Sequence, residues 1–185
     1  DLHSFPTRRS SDLPTAEQVR RACEDLPFNV DVRLIENRGR DVSALLVGLK
    51  DTIMDYDLVC FIHDKKVTQL SLYSKGDGFA IKCFENLLPT REFVSNVIAT
   101  FDLEPRLGML MPTPPNHADY FPISAFGWGP NFVRTRKLLA EMGISVPMDH
   151  DKEPIAPLGT MFWFRPAARS ESTRLNSSHT NRSRM

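Results

Sequence analysis

The chain has 185 residues, with 23 basic and 23 acidic side chains in formal balance and a mean hydropathy of −0.29. Such a balance carries no basic field of the kind that binds nucleic acid, and no apolar run approaches the roughly 18 residues a membrane helix needs. Cys23, Cys60 and Cys83 are odd in number, widely spaced and set among apolar residues, which points to buried thiols in a reducing compartment rather than a disulfide framework.

The two ends differ from what lies between them. Residues 3–12 (HSFPTRRSSD) match one reading frame of a sequencing-library adapter, and residues 172–179 (STRLNSSH) match a frame of the opposite adapter. On that reading residues 1–12 and 169–185 are non-native tails, and residues 13–168 form one domain, expected to lack its first strand at the N-terminus. Without the tails, 17 basic residues face 20 acidic ones, a net charge of −3.

Residues 15–26 carry an apolar stripe at helical spacing (Val19, Ala22, Cys23, Leu26) behind Thr15 as a cap, and Pro27 ends it. Residues 30–35 alternate apolar and charged side chains, the pattern of a half-solvated strand. A polar turn follows, in which Gly39 stands between Arg38 and Arg40. Asp41 or Ser43 can then cap a helix whose expected stripe is Val42, Leu45, Leu46, Leu49 and Ile53. A glycine between two arginines just before a helix suits phosphate, through free backbone N–H groups and cationic side chains. A plain capping turn with solvated arginines has the same composition.

Residues 57–62 form the strongest predicted strand, a continuous apolar run that suggests cover on both faces. It stops abruptly at His63, Asp64, Lys65 and Lys66. An imidazole and a carboxylate at a strand end can hold a divalent cation or a sugar hydroxyl, and the two lysines can face a diphosphate. Residues 68–77 read as a polar loop. Helices are expected over residues 79–88, over a segment capped by Thr90, and over 131–142 with Gly143 as its stop. Short buried strands are expected at 107–111 and 161–164. Between them, residues 112–130 are rich in Pro, Gly and aromatics; Trp128 with Tyr120 suits stacking on a sugar ring, while core packing accounts equally for either ring taken singly. Asp149, His150 and Asp151 sit in a charged loop; three adjacent residues converge poorly on one metal, so a solvated loop is expected there.

A strand, a helix and a second strand in this order predict a parallel crossover. That would bring residues 38–41 and 63–66 to one carboxyl edge of an open sheet, where ligands of such folds bind.

Three blocks taken together, ENRGRD, FIHDKK and PLGTMFWFRP, resemble the rhamnan synthesis protein F family over residues 28–168. The resemblance implies an α/β fold, GT-A-like and Rossmann-like, with a mostly parallel sheet and helices on both faces. It also implies a glycosyltransferase that moves a deoxyhexose such as rhamnose from a nucleotide-diphosphate donor to a glycan acceptor during cell-surface polysaccharide synthesis. The location implied is cytoplasmic, at the inner face of the membrane. Asp64 stands where such a fold places a carboxylate for the donor, usually through a divalent metal such as Mg or Mn. The chain departs from the Asp-x-Asp pattern of that fold, and Lys65 or Lys66 is the alternative partner for the diphosphate. The substrate-binding set expected is Arg38, Gly39, Arg40, Asp41, Asp64, Lys65, Lys66 and Trp128, with Asp64 the metal ligand. His63 and Asp149 are the candidates for the base. The competing reading is a carbohydrate-binding or assembly module that keeps the fold without turnover.

Overall fold

The computed structural model describes residues 13–36, 40–63, 73–113, 127–157 and 159–168. Its helices are α1 (Leu13–Cys23), α2 (Arg40–Ser43), α3 (Tyr73–Glu85), α4 (Arg91–Leu103) and α5 (Asn131–Glu141). Its strands are β1 (Val59–Phe61), β2 (Met109–Leu110) and β3 (Phe162–Phe164). The order across the sheet is β1-β3-β2, and β3 runs antiparallel to both neighbours.

This corrects the expected fold class. The described residues are mostly helical around a small antiparallel sheet, not a mostly parallel, Rossmann-like or GT-A-like one. An apolar run reports that both faces of a strand are covered; it does not report the direction of its neighbours. The cover is visible in the packing. Val59, Phe61, Phe162 and Phe164 lie on one face with Leu45, Leu49 and Ile53, while Cys60, Met161 and Trp163 lie on the other with Cys83, Leu87, Val97 and Phe101. Successive strand residues point to opposite faces, so these short strands feed two apolar clusters at once. Trp163 also donates its Nε1–H to the Leu87 carbonyl at 3.1 Å, which satisfies the indole inside the second cluster.

The segment after residue 39 is helical but uneven: α2 passes into a π-helical stretch, Ala44–Gly48, and then a 3₁₀ turn, Ile53–Asp55. Ala44 is buried there, and the larger buried side chains, Leu45, Leu49 and Ile53, recur every four residues. In a regular α-helix each such step drifts by roughly 40° around the axis, and a wider π turn takes up that drift. Val42 and Leu46, expected in the stripe, stand 42% and 45% exposed instead.

The strand expected over residues 30–35 does not form: residues 31–35 are irregular, and Val30 makes an isolated bridge. The stretch runs beside the π segment, where Arg33 bonds Asp31 at 2.6 Å and donates to the Gly48 carbonyl at 3.1 Å. A Cβ at Gly48 would meet Ile35 Cγ2 at 3.3 Å, a contact tight enough that the Ile35 side chain would have to give by a few tenths of an ångström. The loop expected over 68–77 is helical from Tyr73 onward, and its earlier part lies outside the described residues.

Helix α4 begins at Thr90, whose hydroxyl accepts from the Phe93 N–H at 3.2 Å. At its other end Arg165 donates to the Phe101 carbonyl at 2.8 Å, placing a cation where the helix dipole favours one. Helix α5 ends on Gly143 (φ 67°), with Gly143 and Ile144 N–H bonded back to Ala140 and Leu139. That is a Schellman closure, in which a left-handed glycine lets the chain satisfy the last carbonyls.

Candidate functional site

His63 lies two residues beyond β1. The β1–β3 register pairs Phe61 with Phe162, and continuing it by two positions sets residue 63 opposite residue 160. The histidine thereby reaches the turn that precedes β3, and its Nε2–H donates to the Gly159 carbonyl at 2.7 Å. Gly159 has φ 84° and Thr160 has φ 58°, the latter the one non-glycine residue with positive φ among the described residues. Thr160 N–H bonds the Pro157 carbonyl at 2.9 Å, closing the turn. A β-branched residue in that region is strained, and such strain persists only where the surroundings impose it, commonly at functional sites.

Asp41 arrives from a third segment. It occupies the first turn of α2, four residues before Leu45, and its Oδ2 lies 3.4 Å from His63 Nε2. A carboxylate is also favoured there by the helix dipole. The side chains of His63 and Asp41 are 14% and 32% exposed. Each of the three blocks singled out in the sequence thus contributes one group: Asp41, His63 and Gly159. Gly159 was not among the expected site residues. A glycine before an aromatic strand signals a turn, and only the antiparallel register reveals which side chain that turn meets.

The remaining candidates fall in two groups. Arg38, Gly39, Asp64, Lys65 and Lys66 lie outside the described residues, and for Arg40 only the backbone, at the start of α2, is described. Trp128 and Asp149 lie together in another part of the chain. Trp128 Nε1–H donates to the Asp149 carbonyl at 2.9 Å, and its ring meets Phe132 edge-on at 5.4 Å. Phe132 in turn meets His150 edge-on at 5.1 Å. The Asp149 carboxylate accepts from the Asp151 N–H at 3.0 Å and pairs with Lys152 at 3.6 Å. The described partners of Asp149 therefore belong to its own turn and the neighbouring Trp128, and none of them is His63.

A divalent cation finds no ready set of ligands in what is described. Among the described residues no three His, Cys, Asp or Glu side chains converge as a metal would require. Among them, too, no helix is long and apolar enough to cross a membrane.

Comparison with known proteins agrees with the three blocks. No curated protein and no solved structure matches the chain. The profile of one family, rhamnan synthesis protein F, matches residues 7–182. With Asp41, His63 and Gly159 gathered from the blocks that carry the likeness, the chain belongs to the rhamnan synthesis protein F family and so to the synthesis of rhamnan polysaccharide.

Proposed function

We propose that this chain contributes to the transfer of a deoxyhexose, rhamnose in the first instance, from a nucleotide-diphosphate donor to a growing glycan. The observation that carries the reading is the meeting of Asp41, His63 and Gly159, three groups far apart in sequence, around one imidazole. In such a transfer the acceptor hydroxyl gives up its proton while its oxygen bonds the anomeric carbon. The bond from that carbon to the diphosphate breaks, and the electron pair leaves with the diphosphate. The reaction needs a proton acceptor and cations for the leaving group. His63 takes the first role. Arg38 and Arg40, which precede Asp41 in sequence, and Lys65 and Lys66, which follow the histidine in sequence, take the second, with Asp64 reading the sugar.

A second reading, a carbohydrate-binding or assembly module without turnover, is favoured by the Trp128–Phe132–His150 row, in which three aromatic rings meet edge-on. Calorimetry separates the two. Transfer requires that the chain bind nucleotide diphosphates, and that Lys65→Ala with Lys66→Ala weaken binding at least about tenfold, the scale of a lost charge-assisted contact. Binding to glycan fragments alone would leave only the module. Repeating the titration with Mg, with Mn and with a chelator assigns the diphosphate charge to metal or to lysine.

A further inference from the structure

We propose that Trp128 and the turn at Asp149 form a binding site for one sugar unit of a glycan, which lays its C–H face on the aromatic row and bonds its hydroxyls to the polar side chains beside it. A sugar ring has both chemistries at once: its axial C–H groups make an apolar face, and its hydroxyls form the rim. Trp128 supplies a fixed surface for the face. Its Nε1–H is taken by the Asp149 carbonyl at 2.9 Å, so what the half-buried indole still shows to solvent is apolar. The Phe132 ring supports it edge-on at 5.4 Å, and His150, edge-on to Phe132 at 5.1 Å, extends the row. Trp128 also stands between Gly127 and Gly129, where a Cβ on either would meet nothing within 4 Å among the described residues, so no crowding at the backbone bars an approach.

The hydroxyl partners are exposed groups of the same turn. His150 Nδ1 lies 3.2 Å from Asp151 Oδ1, and its Nε2 has no partner among the described residues. The Asp149 carboxylate and the Lys152 ammonium, 3.6 Å apart, set an acceptor and a donor side by side. An exposed ion pair of that kind contributes little to stability, and α5 buries none of its residues, so core packing does not account for the arrangement. A nucleobase could stack on the same indole, but its diphosphate would meet Asp149, Asp151 and Glu153 against Lys152 alone in this turn. A neutral sugar meets no such repulsion. The site rests on the carbohydrate-binding reading and adds to it the residues that hold the glycan; under the transfer reading that glycan is the acceptor.

Tryptophan fluorescence and calorimetry on the whole chain test it, with rhamnan oligosaccharides, uridine diphosphate and thymidine diphosphate as probes. The chain has two tryptophans, and Trp163 is buried in the core, so quenching by acrylamide reports chiefly on Trp128. The oligosaccharides should shield that emission, and the nucleotides should leave it as it is. Trp128→Ala should weaken oligosaccharide binding about tenfold, as expected for an aromatic side chain at the centre of a contact, and Trp128→Phe, which keeps a smaller ring, by less. Because Trp128→Ala empties a half-buried position, His150→Ala and Lys152→Ala serve as surface changes that spare the fold; each should weaken binding about threefold, the scale of a lost hydrogen bond. Shielding by the nucleotides and not by the oligosaccharides overturns the sugar assignment. Oligosaccharide binding that the alanine variants leave unchanged overturns the site while the carbohydrate-binding reading stands, and a chain that binds no oligosaccharide defeats that reading as well.

Discussion

Helices α4 and α5 carry apolar stripes of the same kind and nearly the same length, yet one is core and the other is not. In α4, Val97 and Phe101 are 9% and 2% exposed, sealed against Trp163 and Met161 of the sheet. In α5 no residue is buried, and Val133 and Leu138 stand 74% and 55% exposed, with Met142 at the C-cap 55% exposed. A stripe reports which face of a helix prefers to leave water; whether a partner waits there is a property of the chain elsewhere. The two candidate groupings divide along the same line. His63 and Asp41 hang from the packed sheet and the helical layer over it, whereas Trp128 and Asp149 belong to the α5 region. A side chain held by a packed scaffold keeps its geometry, which is the condition acid–base chemistry imposes.

The comparison breaks first at Phe101. Phe101→Ala should cost about 3–5 kcal/mol, the range for emptying a buried aromatic site, whereas Leu138→Ala on α5 should cost about 0.5 kcal/mol or less. Chemical denaturation of the two variants measures both, and similar losses would mean that α5 is as much a part of the core as α4. A smaller effect belongs to the start of α4. Thr90→Ala removes the acceptor for the Phe93 N–H and should lower stability by about 1 kcal/mol in the same measurement. No side chain caps α5, which follows Pro130, so it offers no counterpart to lose.

The mildest test uses the thiols. Burial on the second face of the sheet pushes the Cys60 thiol up from 9.0 to about 12. Cys60 should therefore react slowly with a thiol reagent at pH 8 in the folded chain and at the ordinary rate once denatured. The sign of the pH effect follows. The folded chain holds a proton that the unfolded chain releases, so this contribution is complete below pH 9.0 and is lost as pH rises toward about 12. Cys60→Ala should flatten that part of the stability curve, and an unchanged curve would show that the thiol is not desolvated.

Much of the local structure was legible from residue order. The apolar runs ending at Ile62 and Phe164 mark strands, Thr90 marks a helix start, and Gly143 marks a helix stop, because each signal acts within a few residues. Residues 30–35 misled. Alternation suits a strand face, but the same charged positions serve a stretch lying beside a helix, where Arg33 finds Asp31 and the Gly48 carbonyl. The expected stripe of Val42 and Leu46 failed for a related reason, since a π turn shifts the phase that α-helical spacing assumes. In the candidate site, the types of Asp41 and His63 were legible as chemistry, while Gly159 was not, because a backbone carbonyl leaves no mark in a sequence.

Taken alone, residue order determined which faces prefer to leave water, where several segments stop, and which side chains are fit for acid–base work; all of these depend on neighbours a few positions away. The tertiary structure decided the direction of the strands, the partner of each helix and the company of His63. Phe61 meets Phe162 across 101 positions of chain, and the antiparallel sense of that pairing, which no local pattern encodes, is what brings a glycine carbonyl to the histidine.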